Sequence, residues 1–332
     1  LRIGLKEGLV EEAIAAATGR PLEAVREANM LSGDLAAVVR AARRDALASI
    51  SLRIFHPLQF MLASPEPTAE AILERLTPPV WLEEKYDGIR CQIHKMDTRV
   101  ELFSRDLHNI TAQFPDLARA AAALPVDVIL DGELLAWRDG RALPFAELQK
   151  RLGRKGGDDF FLGQEIPISF SAYDLLWLNG NSLLKSPLAE RRTALEAIFL
   201  SIENQTSRIE NPLARPLAPS APFSAFSLPP SALLLAPRQQ AVSAADIDAA
   251  FLAARQRGNE GLMAKDPKSH YTPGRRGLAW LKLKKACATL DVVVVGVEYG
   301  HGKRRGVLSD YTFAIPDGSV RYVSVSGRPV FG

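Results

Sequence analysis

Glu83-Glu84-Lys85-Tyr86-Asp87-Gly88-Ile89-Arg90 is the stretch on which the reading of this chain turns. It follows the short apolar run Val80-Trp81-Leu82, so the pattern places Lys85 just after a strand, with an acid, a glycine and an arginine behind it. A lysine amine is a good nucleophile only when deprotonated. It must therefore be desolvated, or set among other cations that lower its pKa. Arg90 and a more distant basic cluster are candidates for supplying that field. Read alone, the octapeptide would also suit a surface strand end with Gly88 in a turn.

Working outward, further segments each set a strand-like run beside charged residues. They are Phe103-Ser104-Arg105-Asp106, Leu130-Asp131-Gly132-Glu133-Leu134, Tyr173-Asp174-Leu175-Leu176, Asn259-Glu260-Gly261-Leu262-Met263-Ala264-Lys265, and the run from Arg276 through Trp280-Leu281-Lys282-Leu283-Lys284-Lys285. Taken singly, Glu133 and Glu260 would be ordinary solvated carboxylates, Tyr173 a core residue, and Lys282 and Lys284 the wet side of a strand. In this order and with intact flanks they point to one site.

The chain has 332 residues, 47% apolar and 24% charged, which suits a soluble globular protein of two or more domains. Apolar runs such as Val292 to Val295 are far shorter than the roughly 20 residues of a bilayer span, and no signal segment opens the chain, so a cytoplasmic protein is expected. Two cysteines, Cys91 and Cys287, and five scattered histidines make neither a disulfide framework nor a zinc site. Charge is uneven: Lys268 to Arg305 holds nine basic residues against Asp291 and Glu298, a segment of +7, while the rest sums to −4. Such a patch suits nucleotide phosphates or a DNA backbone, with a solvated basic face as the plainer alternative.

Residues 1 to about 60 read as helices. Leu5, Leu9, Ala13, Ile14 and Ala17 recur at helical spacing, Thr18-Gly19 makes a stop, Pro21 suits the first turn of a second helix, and Ser32 or Asp34 caps a third through Leu35, Val38, Val39 and Ala42. Phe55-His56-Pro57 and Pro65-Glu66-Pro67 break the pattern and read as a linker. From about 80 to 185, short runs such as Arg90 to His94, Val100 to Phe103, Val128 to Leu130 and Ile168 to Tyr173 imply an α+β domain on antiparallel sheet. Residues 201 to 230, with six prolines from Pro212 to Pro230, read as an exposed insertion. A helix near 244–257 and strands at 261–265 and 280–284 follow. A small β domain then starts near 289, with strands at Asp291 to Tyr299, Tyr311 to Ala314 and Val320 to Val325. The start on Leu1 and the stop at Phe331-Gly332 suggest a fragment.

In this combination the chain resembles the ATP-dependent DNA ligases, specifically the archaeal and bacterial type related to eukaryotic DNA ligase I. Leu143-Pro-Phe-Ala-Glu-Leu-Gln-Lys-Arg-Leu-Gly-Arg-Lys155 and Leu1-Arg-Ile-Gly-Leu-Lys-Glu-Gly-Leu9 add to the likeness. The resemblance implies the end of a helical DNA-binding domain over 1–60, a nucleotidyltransferase domain over 61–288 carrying the insertion, and the beginning of an OB-fold barrel over 289–332. It makes Lys85 the nucleophile that takes AMP from ATP. It makes Glu83 the reader of the adenine base and Tyr173 its stacking partner. Glu133 would bind the ribose, Arg90 and Arg105 the ribose and phosphates, and Arg276, Lys282 and Lys284 would form the positive side of the site. Glu260 and Glu133 would serve Mg2+. Asp106 stands where the family commonly has Asn. The implied partner is nicked double-stranded DNA, bound by a monomer in the prokaryotic nucleoid.

RNA ligases and messenger-RNA capping enzymes share such a lysine motif, but the N-terminal helices and the 143–155 stretch favour the DNA enzymes. NAD-dependent ligases carry a four-cysteine zinc module that two cysteines cannot build. A nick-binding module without catalysis, or a piece competent only for self-adenylation, remain as alternatives. Gly300-His301-Gly302-Lys303 is no phosphate loop, because Val297 and Arg304 stand where that motif needs Gly and Ser or Thr.

Overall fold

The computed structural model describes residues 7–152, 167–210, 232–284, 292–300, 305–316 and 322–325. The chain divides into two compact units, Leu1–Lys284 and Lys285–Gly332. Among the described residues no helix is long and apolar enough to cross a membrane.

The first unit opens with three helices, α1 (Glu7–Thr18), α2 (Leu22–Ser32) and α3 (Leu35–Arg43). Their ends follow the local chemistry. Gly19 takes the left-handed φ of 67°, Pro21 precedes α2, and the Asp34 carboxylate accepts from the Ala36 and Ala37 amides at 2.9 and 3.0 Å. Gly33 ends α2 at φ 60°, and the His56 imidazole lies where its Cβ would be, so the linker packs onto a position that only glycine vacates. Ile14, Val25, Ala28, Val38, Ala42 and Leu47 close a small core among the helices.

The linker is tied down by backbone mimicry. The buried Gln92 amide accepts from Leu58 N at 3.0 Å and donates to Leu58 O at 2.7 Å, and His94 Nδ1 accepts from Phe55 N at 3.0 Å. Burial holds His94 neutral, pushed down to about 3, with the neighbouring His56 adding to the effect.

Beyond it the chain runs β1 (Leu62–Glu66), α4 (Ala69–Arg75), β2 (Val80–Lys85), β3 (Ile89–Met96), β4 (Arg99–Ser104), α5 (Pro115–Ala122), β5 (Val128–Arg138), β6 (Arg141–Ala142) and α6 (Phe145–Leu152). It continues β7 (Ile168–Leu178), β8 (Asn181–Ser182), α7 (Leu188–Glu210), β9 (Leu233–Leu235), β10 (Arg238–Ala241), α8 (Ala244–Gln256), β11 (Gly261–Lys265) and β12 (Arg276–Leu283). One sheet has the order β1-β12-β11-β2-β10, parallel only between β1 and β12. The other has the order β4-β3-β5-β7-β8, with β6 on β5 and β9 parallel to β7. The expected α+β domain on largely antiparallel sheet is therefore present.

Alternation decides which residues face where. Val80, Leu82, Leu262, Ala264, Leu281 and Leu283 bury against α4 and α8 through Ile72 and Phe251. Their strand neighbours Trp81, Met263 and Trp280 pack instead with Ile129, Leu176 and Trp177 of the second sheet. The outer face of that sheet is covered by Leu117 and Ala121 of α5 and Leu195 and Phe199 of α7. The two sheets thus meet face to face through the layer around Trp81 and Trp280.

Two expectations are corrected. Pro65 lies inside a strand rather than a break: β1 is the edge of its sheet, where the missing N–H is tolerated, and its register shifts between Ala63 and Ser64. Residues 201–210, read as the start of the insertion, continue α7, since the prolines begin only at Pro212. Residues 211–231 lie outside the described residues, as do residues 1–6 and 153–155 of the stretches quoted above.

The second unit is an antiparallel three-stranded sheet of β13 (Val293–Tyr299), β14 (Leu308–Pro316) and β15 (Tyr322–Val325), with no closed barrel among the described residues. The basic turn at 301–304, and Val320 and Arg321, lie outside them.

Arg191 of α7 and Asp174 of β7, both with fully buried side chains, pair through Nε–Oδ1 at 2.7 Å and Nη2–Oδ2 at 2.8 Å, and Arg191 also donates to the Ser186 and Ser269 carbonyls. Asp174→Ala should cost about 3–5 kcal/mol in urea unfolding, because it strands a buried cation. The double replacement Asp174→Leu with Arg191→Met should recover most of that loss. Equal loss in both variants would disprove the ion-pair account.

Candidate active site

The facing sides of the two sheets carry most of the residues singled out by sequence. Register explains how. On β2, Glu83 lies opposite Met263 and Lys85 opposite Gly261, while on β12 Lys282 pairs with Met263. Glu83, Lys85, Lys282 and Lys284 therefore share one sheet face with Trp81, Trp280, Met263 and Lys265. From the opposite sheet, Arg90 lies across from Glu133, and Tyr173 follows the register shift at Asp131/Gly132. Gly88 is what lets the turn after Lys85 lie this close, since a Cβ there would meet Leu134 O at 2.4 Å and Glu133 Cγ at 2.7 Å.

Glu260 sits at the centre of the cationic end. Its Oε2 contacts Lys85 Nζ and lies 2.6 Å from Lys284 Nζ, and its backbone N–H donates to Lys85 O at 2.9 Å. Burial works against its ionisation, but the hydrogen bonds from Lys284 and Lys85 outweigh it and hold the carboxyl below the usual range. Lys282 is pushed down, first by burial and then by the charges of Lys284, Lys85 and Arg276. Asp87 is pushed up by burial and by Glu260. The end therefore carries four cations against two acids.

Arg90 is held from several sides. Its Nε and Nη2 donate to Asp131 at 3.2 and 2.8 Å, its Nη1 donates to Met61 O at 2.7 Å, and its guanidinium lies 4.8 Å from the Phe60 ring centroid. Asp131 is completely buried and also accepts from Tyr271 OH at 2.8 Å, while that hydroxyl accepts from Met61 N. Tyr173 OH donates to Glu133 Oε2 at 2.5 Å. Burial pushes the Glu133 carboxyl up to about 7, against the pull of Tyr173, Arg90 and Lys85.

Glu83 is almost fully buried, and its Oε2 accepts from Lys265 Nζ at 2.6 Å. Arg105 is exposed in the turn after β4 and has no recorded contact with this cluster; Arg276 is exposed at the start of β12. Sequence reasoning gave no role to Lys265, Asp131 or Tyr271. For Asp131 and Lys265 a signal existed, as each lies two residues from a residue on the site's face, Glu133 and Met263. Tyr271, in the segment between β11 and β12, had none. Among the described residues no three His, Cys, Asp or Glu side chains cluster as a ready metal site.

Comparison with known proteins fits this geometry. A family model described as ATP dependent DNA ligase domain matches residues 60–284. A probable DNA ligase of Opitutus terrae is 65% identical, over 96% of this chain and 34% of that protein. One from Koribacter versatilis is 48% identical, over 96% of this chain and 54% of that protein. A solved structure of mycobacterial DNA ligase D complexed with ATP and MES is similar at 26% identity and a TM-score of 0.51, covering 80% of this chain and 70% of that one. This chain spans between 34% and 54% of the length of those two curated relatives.

Glu133 makes stability pH-dependent. Its carboxyl keeps its proton to about 7 in the folded chain but loses it near the ordinary 4.5 when unfolded, so the folded state binds more protons between those values and stability falls as pH rises through that window. Glu133→Gln should flatten the fall by about 2 kcal/mol between pH 4.5 and 7 in urea titrations. An identical slope in both proteins would show that the carboxyl titrates normally.

Proposed function

Since the chain belongs to the ATP-dependent DNA ligase domain family, we propose that it works as part of a DNA ligase that uses ATP to seal nicks in duplex DNA. The observation that carries this reading is the meeting of Lys85, Lys284 and Glu260 at one end of a sheet face whose other end is apolar and aromatic. Residues 1–60 are then the end of a helical DNA-binding domain, 61–288 the adenylation domain, and 289–332 the start of an OB-fold.

Chemistry follows from the cluster. An amine paired with a carboxylate must give up its proton before it attacks, and Glu260, in contact with Lys85 Nζ, is the acceptor at hand. Lys85 then forms a P–N bond to the α-phosphorus of ATP while the α–β P–O bond breaks and pyrophosphate leaves with the electron pair. The other cations, Lys282, Lys284 and Arg276, would offset charge on the phosphate oxygens during that transfer. Next, an oxygen of the 5′-phosphate at a nick takes AMP from Lys85, breaking the P–N bond. Finally the 3′-hydroxyl attacks that 5′-phosphorus and AMP leaves. Contacts to phosphates and groove shape, rather than base edges, would make sealing independent of sequence.

The remaining roles follow from the resemblance to the family. Glu83 reads the base and Tyr173 stacks on it, Glu133 and Arg90 take the ribose, and Arg105, Arg276, Lys282 and Lys284 take phosphates. Glu260, with Glu133 when ionised, would hold Mg2+. One or two carboxylates, completed by substrate phosphates and water, suit that ion, which supplies neutralisation of the approaching polyanions and polarisation of the phosphoryl group. A monomer in the prokaryotic cytoplasm is the matching setting.

Incubation with ATP and Mg2+ followed by peptide mass spectrometry should find AMP on the Lys85 peptide, and Lys85→Ala should lack it. No adduct in a folded sample that still binds nicked DNA would favour a binding module. An adduct without sealing would assign only the first step to this stretch of chain.

A further inference from the structure

We propose that Tyr271 is a positioning residue, whose hydroxyl closes a ring of hydrogen bonds that sets the Arg90 guanidinium before a nucleotide arrives. The proposal rests on the reading above, in which Arg90 takes the ribose.

The ring can be followed atom by atom. Arg90 Nη1 donates to Met61 O at 2.7 Å, and Met61 N donates to the Tyr271 hydroxyl at 3.1 Å. That hydroxyl donates to Asp131 Oδ2 at 2.8 Å, and the same oxygen accepts from Arg90 Nη2 at 2.8 Å, which returns to the start. A hydroxyl suits its place because it accepts on one side and donates on the other. With Arg90 Nε donating to Asp131 Oδ1 at 3.2 Å, three of the five N–H groups of a planar fork are bound to fixed partners. Tyr271 is itself held firmly. It is 3% exposed, its backbone N–H donates to Leu184 O at 3.0 Å, and its ring stands edge-on to Trp280 with centroids 5.8 Å apart.

Neither packing nor charge balance calls for that hydroxyl. Asp131 already pairs with Arg90 through both of its oxygens. The segment that carries Tyr271 is docked on residues 60–62 by three further hydrogen bonds: Thr272 N to Met61 Sδ at 3.4 Å, Gly274 N to Phe60 O at 3.2 Å, and Leu62 N to Arg275 O at 3.0 Å. The Tyr271 ring packs with Trp81, Ile129 and Leu176 as a phenylalanine ring would. What the hydroxyl alone does is tie Met61 N to Asp131. Met61 O and Asp131, the two acceptors of Arg90, lie 70 residues apart in sequence, and this link fixes their separation. Arg90 lies opposite Glu133 on the neighbouring strand, with its guanidinium 6.0 Å from the Tyr173 ring centroid. A guanidinium held in one plane beforehand loses less freedom when a ligand binds, which strengthens binding without changing the chemical step.

The test is labelling of Lys85 by ATP with Mg2+, followed over ATP concentration in wild type and Tyr271→Phe. Half-saturation should rise at least about fivefold in the variant, while the rate at saturating ATP changes by less than about twofold. A hydroxyl that served only the fold would lower urea stability and leave half-saturation in place. That result overturns the proposal, and so does a Tyr271→Phe chain that fails to fold. Arg90→Lys keeps a cation beside Asp131 but cannot close the ring, so adding Tyr271→Phe to it should shift half-saturation by less than about twofold. The full shift in that background would show that the hydroxyl acts by another route. Equilibrium binding of ATP supplies the same ratios where Arg90→Lys labels too slowly to follow. Failure of wild type to label Lys85 defeats the nucleotidyl-transfer reading and this proposal with it, whereas labelling of wild type and Tyr271→Phe with one half-saturation defeats the proposal alone.

Discussion

A β-strand sends only every second side chain to a given face, and here two sheets face each other with the site residues between them. That constraint sets almost everything else. The strands β2, β11 and β12 must fill an apolar layer against α4 and α8 with one set of residues, and face the second sheet with the other. A slip of one residue would carry Lys85, Glu83 and Lys282 into that apolar layer and expose Leu82 and Leu262 in their place. The register that packs the core is therefore the register that assembles the cluster around Glu260, down to the Glu260 N–H that donates to Lys85 O.

Charge between facing sheets must be paired, and the pairs do positional work. Asp131 grips Arg90 in a fork and takes the Tyr271 hydroxyl on the same carboxylate, while Arg90 and Tyr271 both bond Met61. Met61 comes directly after the linker that Gln92 and His94 hold by hydrogen bonds. The result fixes the Arg90 guanidinium through its own partners. Buried ion pairs of this kind contribute little to net stability, so orientation is the better account of why they are there.

Much of this was legible. The caps at Gly19 and Asp34, the strand pairs flanking Lys85, and the α+β class follow from local patterns whose causes are local. The site was legible wherever a charged residue ended an apolar run, as with Lys85, Glu133, Glu260 and Lys284. It was less so for residues whose role comes from a partner distant in sequence. Asp131 and Lys265 acquire meaning only through Arg90 and Glu83, and Tyr271 reaches Asp131 from a segment with no pattern of its own. The strand through Pro65 was hidden because edge position, which is a property of the sheet, is what excuses its proline. The helix to Glu210 was hidden because composition was averaged over a window that only later fills with proline.

Glu260 brings these threads together. Lys85, Lys282, Lys284 and Arg276 share one end of the site, and without a counter-ion their repulsion would oppose folding there; it adds to burial in pushing Lys282 down. Glu260 relieves it by contacting two of the four, and Asp87, pushed up by burial and then by Glu260, adds less. The cluster stays short of neutral. A residue that only stabilised the fold would neutralise the end fully, whereas this arrangement keeps an excess of positive charge that a polyphosphate can satisfy better than one carboxylate does. Lys85 and Lys284 hold Glu260 directly, whereas Lys282 feels it only through space. The same contact that balances the charge at this end thereby fixes the carboxylate against the Lys85 amine.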